Sequence, residues 1–277
     1  MRRQQTRPAA IIIGSGDIGS AVAVALARVG YAAIVCDRTD PSSARRGMAF
    51  TDAWYVGHAE LDGVNALFCG TIKAVPTVLE RPGQIAATTW SWRGAAGALH
   101  AGLVVDTRNK QSTDGTDFRM RLPPGLLTIG IGTGHTAARN VDLVIEAPLA
   151  DPSPMALHEP RLEAVGVPAS RPPHGVGTAV FAKDAGRFTT SHRIGDCVEA
   201  GQLVGALDRE PVAAPISGVL RGLSARGAWV QAADLIVEVD PRGDPTLCFG
   251  LDGRAMSIAH KLLAALADRG IRGQMVR

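Results

Sequence analysis

Ala9 to Ile13 is a short apolar run that reads as a buried strand, and it leads directly into Gly14-Ser15-Gly16-Asp17-Ile18-Gly19. Ser20 to Val29 is then rich in Ala, Val and Leu, as a packed helix would be, and Gly30 stops it. Ala32 to Cys36 is a second apolar strand, ending on Asp37. Together these make a βαβ unit. Its glycines have separate tasks. Gly14 allows the tight turn, Gly16 lets the backbone approach a pyrophosphate, and Gly19 lets the helix pack on the strand. The amides opening the helix then face an anion. Asp37 lies 18 residues beyond Gly19, close to the spacing of about 20 at which an acid accepts from a ribose hydroxyl. The unit is Rossmann-like, and a dinucleotide such as NAD(P) is a candidate ligand. Asp17 is unusual there, because a carboxylate beside a pyrophosphate is repelled. It either caps the helix, narrows the choice of ligand, or bonds a polar head group.

The chain has 277 residues, room for about two domains of roughly 150 residues. Hydrophobic residues are 46 % and charged residues 20 %, which suits a packed core rather than disorder. The net charge of +3 is spread thinly, so nucleic-acid binding is not expected. Of 29 cations only Lys73, Lys110, Lys183 and Lys261 are lysines; the arginines suit anion sites or simply reflect genome composition. Cys36, Cys69, Cys197 and Cys248 form no CxxC pair, which points to a reducing, cytoplasmic setting. Asp17 and Arg28 interrupt the most apolar stretch, so no membrane span is expected. Arg2 and Arg3 precede an apolar run, but that run is better used as strand, turn and helix than as an export signal.

Further strands are expected at Ile85 to Thr89, Gly102 to Val105, Leu126 to Ile131 and Asp142 to Ile145, with a helix at Trp90 to His100. That alternation predicts an α/β domain with a mostly parallel sheet. Ala59 to Cys69, with Asp62-Gly63 in its middle, predicts a hairpin insertion. The expected organisation is a Rossmann-like ligand-binding domain over 1–147, a proline-rich linker or irregular loop over 148–178, and a β module with a C-terminal helix over 179–277. That helix is expected at Asp252 to Asp268, stopped by Gly270.

Other candidate anion ligands follow predicted strands. Arg45 and Arg46 come after the second strand and either grip a phosphate or stay solvated. Asp106, Arg108 and Lys110 follow the strand at Leu103 to Val105, where open α/β sheets bind ligands. Gly130, Gly132, Thr133, Gly134 and Thr136 form a second glycine-rich loop able to present amides and hydroxyls to an anion. His135 within it is either structural or a contact for proton transfer. The seven histidines show no metal-ligand spacing, and no GxSxG or Cys/His pattern suggests a covalent hydrolase.

Ile194 to Gly205 followed by Pro211 to Leu220 resembles the barrel-sandwich hybrid of biotinyl and lipoyl carriers. Carriers attach their group to a lysine, and none lies between Lys183 and Lys261. The module is therefore expected to serve contact, oligomerisation or ligand enclosure.

A wider resemblance rests on motifs in constant order from residue 10 to about 267. They are Gly14-Ser15-Gly16-Asp17, Ala44 to Phe50, Val105-Asp106-Thr107-Arg108, and Ile129 to Thr136 with Asp142 and Glu146. Pro211 to Gly222 and Asp240-Pro241-Arg242-Gly243-Asp244 with Cys248-Phe249 complete the set. In these the chain resembles accessory proteins of the selenium-dependent molybdenum hydroxylase system, relatives of the xanthine dehydrogenase accessory family. The resemblance implies a cytoplasmic, non-catalytic maturation chaperone that transiently binds a molybdopterin-type cofactor. It also implies a molybdenum hydroxylase apoenzyme as partner, a sulfurase or cytidylyltransferase as a second, and a homo-oligomer. Pro148 to Pro173 stand where the family is rich in Gly and Asn. Asp240, Arg242 and Asp244 either knot the last helix down or meet a ligand. Cys248 either carries sulfur or is a structural thiol.

Overall fold

Apolar runs without alternation form strands covered on both faces. β1 (Ala9–Ile13) and β2 (Ala32–Cys36) are such runs, and every residue of both is buried. The computed structural model describes residues 7–108, 125–147, 156–157 and 178–271. Lys110, Arg2, Arg3 and nearly all of the expected 148–178 connection lie outside the described residues.

Around β1 and β2 stand β3 (His58–Leu61), β4 (Val64–Phe68), β5 (Gln84–Thr88), β6 (Leu103–Asp106), β7 (Leu127–Ile131), β8 (Leu143–Ile145) and β9 (Ala156–Leu157). Their order is β3-β4-β5-β2-β1-β6-β7-β8-β9. All neighbours are parallel except the two edge pairs, β3 with β4 and β8 with β9. The β3–β4 hairpin turns at Asp62-Gly63, as its sequence demands. The chain reverses its direction across the sheet between β1 and β6, which makes the C-terminal ends of these strands a topological switch point.

The pleat sends alternate residues to opposite faces. Ala10 and Ile12 enter one core with the apolar side of α1 (Asp17–Arg28). Ile11 and Ile13 enter a second core, which takes in Val75 of α3 (Val75–Leu79) and Ala95 and Ala96 of α4 (Trp92–Ala98). A one-turn α2 (Ala53–Val56) precedes the hairpin.

Eight short strands follow, in two antiparallel four-stranded sheets. One has the order β10 (Thr178–Phe181), β17 (Leu235–Asp240), β15 (Gly218–Leu223), β12 (Cys197–Val198). The other has the order β14 (Glu210–Ala213), β13 (Leu203–Leu207), β11 (Gly186–Thr189), β16 (Trp229–Val230). Both sheets contribute to one core, in which Phe188, Val204, Leu220 and Val237 are buried. The fold is thus mixed α/β, with a large mostly parallel sheet and smaller antiparallel sheets.

One expectation about the domains needs correcting. The C-terminal helix α5 (Gly253–Asp268) does not complete the β module. Its buried Ile258, Ala259, Leu262 and Leu266 join the first core beside α1. Asp252 caps it, accepting from the amides of Arg254 and Ala255 at 3.0 and 3.2 Å. The reason is apolar area: α5 carries an aliphatic stripe, and α1 offers a matching stripe of Ala, Val and Leu on the near face of the sheet. The β module is therefore inserted into the first domain rather than appended to it.

Candidate functional site

A cleft of about 740 Å³ opens at the switch point. Its floor is the glycine turn and the ends of β1, β2 and β5, with Thr107 and Arg108 just beyond β6. Gln231, Asp234 and Leu235 of the β module line the opposite wall, and Arg254 reaches in from α5. Open α/β sheets bind ligands in this position, and interfaces between domains are where pockets gather.

The turn is built for close approach. Gly14 has φ +107°, a left-handed conformation that favours glycine. A Cβ on Gly19 would stand 2.0 Å from the Gly14 carbonyl oxygen, so α1 reaches β1 only with a glycine there. Ser15 is held from both sides. Its N–H donates to Asp37 Oδ2 at 2.7 Å, and its carbonyl accepts from the hydroxyls of Ser20 and Thr51 at 3.0 Å each. Asp37 therefore braces the turn as well as lining the cleft. Its other oxygen accepts from the Arg38 N–H at 2.8 Å. An ionised carboxylate has about four lone-pair sites, so room remains for hydroxyl donors.

Asp17 is the first residue of α1, and Gly16 holds the N-cap position with no side-chain cap. Asp17 Oδ1 accepts from the Ile18 N–H at 2.9 Å, and Oδ2 accepts from Arg45 Nη1 at 3.2 Å. Arg45 offsets the charge conflict expected at this position only in part, because it serves a second carboxylate as well. That arginine is buried, and its Nε and Nη2 donate to both oxygens of Glu238 on β17, at 2.6 and 2.9 Å. Burial lowers the Arg45 pKa, but Asp17 and Glu238 outweigh it and raise it overall. Arg45 thus lines the cleft as an internal cation holding two carboxylates, not as a solvated surface group.

Arg46 is not part of the cleft lining. It donates to the Leu223 carbonyl at 2.9 Å and pairs with Asp52 at 2.6 Å, tying β15 to the first domain. Arg108 lines the cleft, held by Asp106 through two side-chain hydrogen bonds of 2.8 and 2.9 Å. Asp106 is buried and lies 3.9 Å from His135 Nε2. Burial lowers the His135 pKa, Asp106 pushes it back up, and Arg108 lowers it further; the net is downward.

Of the second glycine loop only Gly132 reaches the cleft, beside Ile131. Gly130 instead makes room for His135, since a Cβ would stand 2.1 Å from the imidazole Cγ. Gly134 and Thr136 are stitched to Asn140, which donates to the Gly134 carbonyl and accepts from the Thr136 N–H. Thr133 stands outside the lining. Most of this loop therefore supports a wall rather than presenting amides to the cleft.

Several further lining residues carry only a weak sequence signal. Trp90 and Trp92 follow β5 as Thr107 and Arg108 follow β6, so strand position marks them, but their apolar character suggests helix. Arg38 donates to the Trp229 carbonyl at 2.9 Å and pairs with Asp234 at 3.5 Å, while Ser42 donates to Asp234 at 2.7 Å. These contacts hold the β-module wall against the floor. Cys248 is fully buried, and burial pushes its thiol up to about 11. Arg242 pairs with Asp240 beside it, but it is Arg221 that joins Asp240 to Asp252 and so to α5.

No family model matches the chain. It is 28 % identical over 257 residues to the uncharacterized protein YqeB of Escherichia coli (strain K12). The match takes in 92 % of this chain and 47 % of that protein, so the chain spans about half the length of its curated relative. The crystal structure of an aspartoacylase family protein from Mesorhizobium loti covers 85 % of the chain and 86 % of its own, at 9 % identity and a TM-score of 0.22. That likeness is too slight to inform the fold or the site. No helix among the described residues is long and apolar enough to cross a membrane.

Proposed function

We propose that the cleft holds a phosphate-bearing cofactor of the molybdopterin type, and that the protein assists its delivery to a molybdenum hydroxylase apoenzyme. The observation that supports this best is the cleft's composition. A glycine turn, arginines and exposed Trp90 surround about 740 Å³ at the switch point, and the β module closes one side. Flat heteroaromatic rings suit tryptophan faces, and phosphates suit arginines. Among the described residues no group of three or more His, Cys, Asp or Glu is placed to hold a metal. The glycine turn, Trp90 and the cleft arginines fit the organic part of such a cofactor, while its metal would supply the chemistry of the client enzyme. In this reading the protein binds, shields and hands over, in the cytoplasm, as a homo-oligomer, with a sulfurase or cytidylyltransferase as a second partner. The two antiparallel sheets are then a barrel-sandwich-type module that serves as a wall.

Asp37 favours a second reading, an NAD(P)-dependent oxidoreductase or dinucleotide-binding scaffold. It lines the cleft just beyond β2, where a ribose diol is commonly held. Purification from the native host, denaturation and mass spectrometry of the released molecule separates the two. A pterin, with molybdenum measured alongside, supports cofactor delivery. NAD(P) without a pterin overturns that reading and favours the second.

A further inference from the structure

The N-terminal amides of a helix in a glycine turn are an anion site because nothing else satisfies them. Here the chain supplies the anion itself. Asp17 Oδ1 takes the Ile18 N–H, and Oδ2 takes a donor of Arg45. Asp17 keeps 22 % of its side-chain surface exposed and lines the cleft. Its neutralising partner is 5 % exposed and faces Glu238 as well, so Arg45 is fixed by carboxylates on both sides. A diphosphate lying across this turn would meet a carboxylate where it needs an amide.

We propose that Asp17 is a specificity-determining residue of the cleft. It rejects a diphosphate at the glycine turn and selects a ligand that offers N–H donors there, such as the amino edge of a pterin ring. Any phosphate on that ligand is then held away from the turn, near Arg38, Arg108 and Arg254 rather than Arg45. The proposal rests on the cleft being a cofactor site and adds which end of the cofactor meets α1. Carboxylates recognise paired N–H donors through charge-assisted bonds, about twice as strong as neutral ones, so the preference is steep.

The test is calorimetric titration of the full chain with two probes, inorganic pyrophosphate and 6-hydroxymethylpterin, and of the wild type with NADH as well. Asp17→Asn removes the charge and keeps the shape. Asp17→Ala also frees the Ile18 amide. The wild type is expected to favour the pterin. Each variant is expected to bind pyrophosphate more tightly and the pterin more weakly. The ratio of the two affinities then moves by about a hundredfold in Asp17→Ala, the size of one charged hydrogen bond gained and one lost. A ratio that moves less than about threefold in both variants, or variants that bind neither probe, overturns the proposal. Circular dichroism of each variant establishes that the fold is intact. A wild-type chain that binds NADH and no pterin fails the cofactor reading instead, and leaves the effect of Asp17 on pyrophosphate readable by itself.

Discussion

Arg45 clamps Glu238 through two hydrogen bonds of 2.6 and 2.9 Å, and both side chains are buried. The pair joins the loop after β2 to β17, so it fixes the β module against the floor of the cleft. Removing one member of a buried pair leaves an uncompensated charge and costs about 3–5 kcal/mol. Glu238→Ala is expected to lose about 3 kcal/mol, since Asp17 still partners Arg45. Urea unfolding of the two proteins checks it, and an unchanged midpoint counts against the clamp.

Gly19→Ala is expected to be worse tolerated than most helix substitutions to alanine, which usually help. The new methyl would meet the Gly14 backbone oxygen at 2.0 Å, and backbone cannot step aside as a flexible side chain can. A loss of about 3 kcal/mol is expected. Gly97→Ala, in α4 with open space around its Cβ, is the control and should be neutral or stabilising. Thermal or urea unfolding of both variants reads the difference.

Arg221 lies 3.7 Å from Asp240 and 3.0 Å from Asp252, whose carboxylate caps α5. Arg221→Met should loosen the start of α5 without unfolding the β module. Hydrogen exchange of the amides at Met256 to Ala259 should speed at least tenfold, while those of β15 and β17 keep their protection. Equal speeding in both places would mean that Arg221 serves general stability.

His135 is buried and its pKa is held below the ordinary 6.5, chiefly by burial. The unfolded chain therefore takes up a proton before the folded one does. Stability linked to this group is present above about pH 6.5 and declines as pH falls below it. The difference in stability between His135→Asn and wild type should shrink as pH drops from 7 to 5. A difference that is flat with pH would show that His135 titrates alike in both states.

Residues that act with their sequence neighbours are legible in the sequence itself. β1, the glycine turn, α1 and β2 stand where apolar runs and glycines place them, and the β3–β4 hairpin turns where Asp62-Gly63 predicts. What stays hidden is what distant residues do together. Arg45 reads as a phosphate ligand or a solvated cation until Glu238, far along the chain, is seen to occupy it. Gly130 reads as a phosphate cradle until His135 is seen packed over it. The docking of α5 on α1 has no local signal, because an aliphatic stripe does not say which stripe it will meet.

That docking bears on how the protein is made. α1 leaves the ribosome before the β module with its Ala, Val and Leu face ready for burial, yet the helix that covers it is translated after that entire module. Until then the nascent first domain exposes an apolar strip that must wait or be shielded, so its folding cannot simply follow synthesis domain by domain. Ribosome-arrested chains ending before residue 253 should therefore be bound by holdase chaperones, which release once α5 is out.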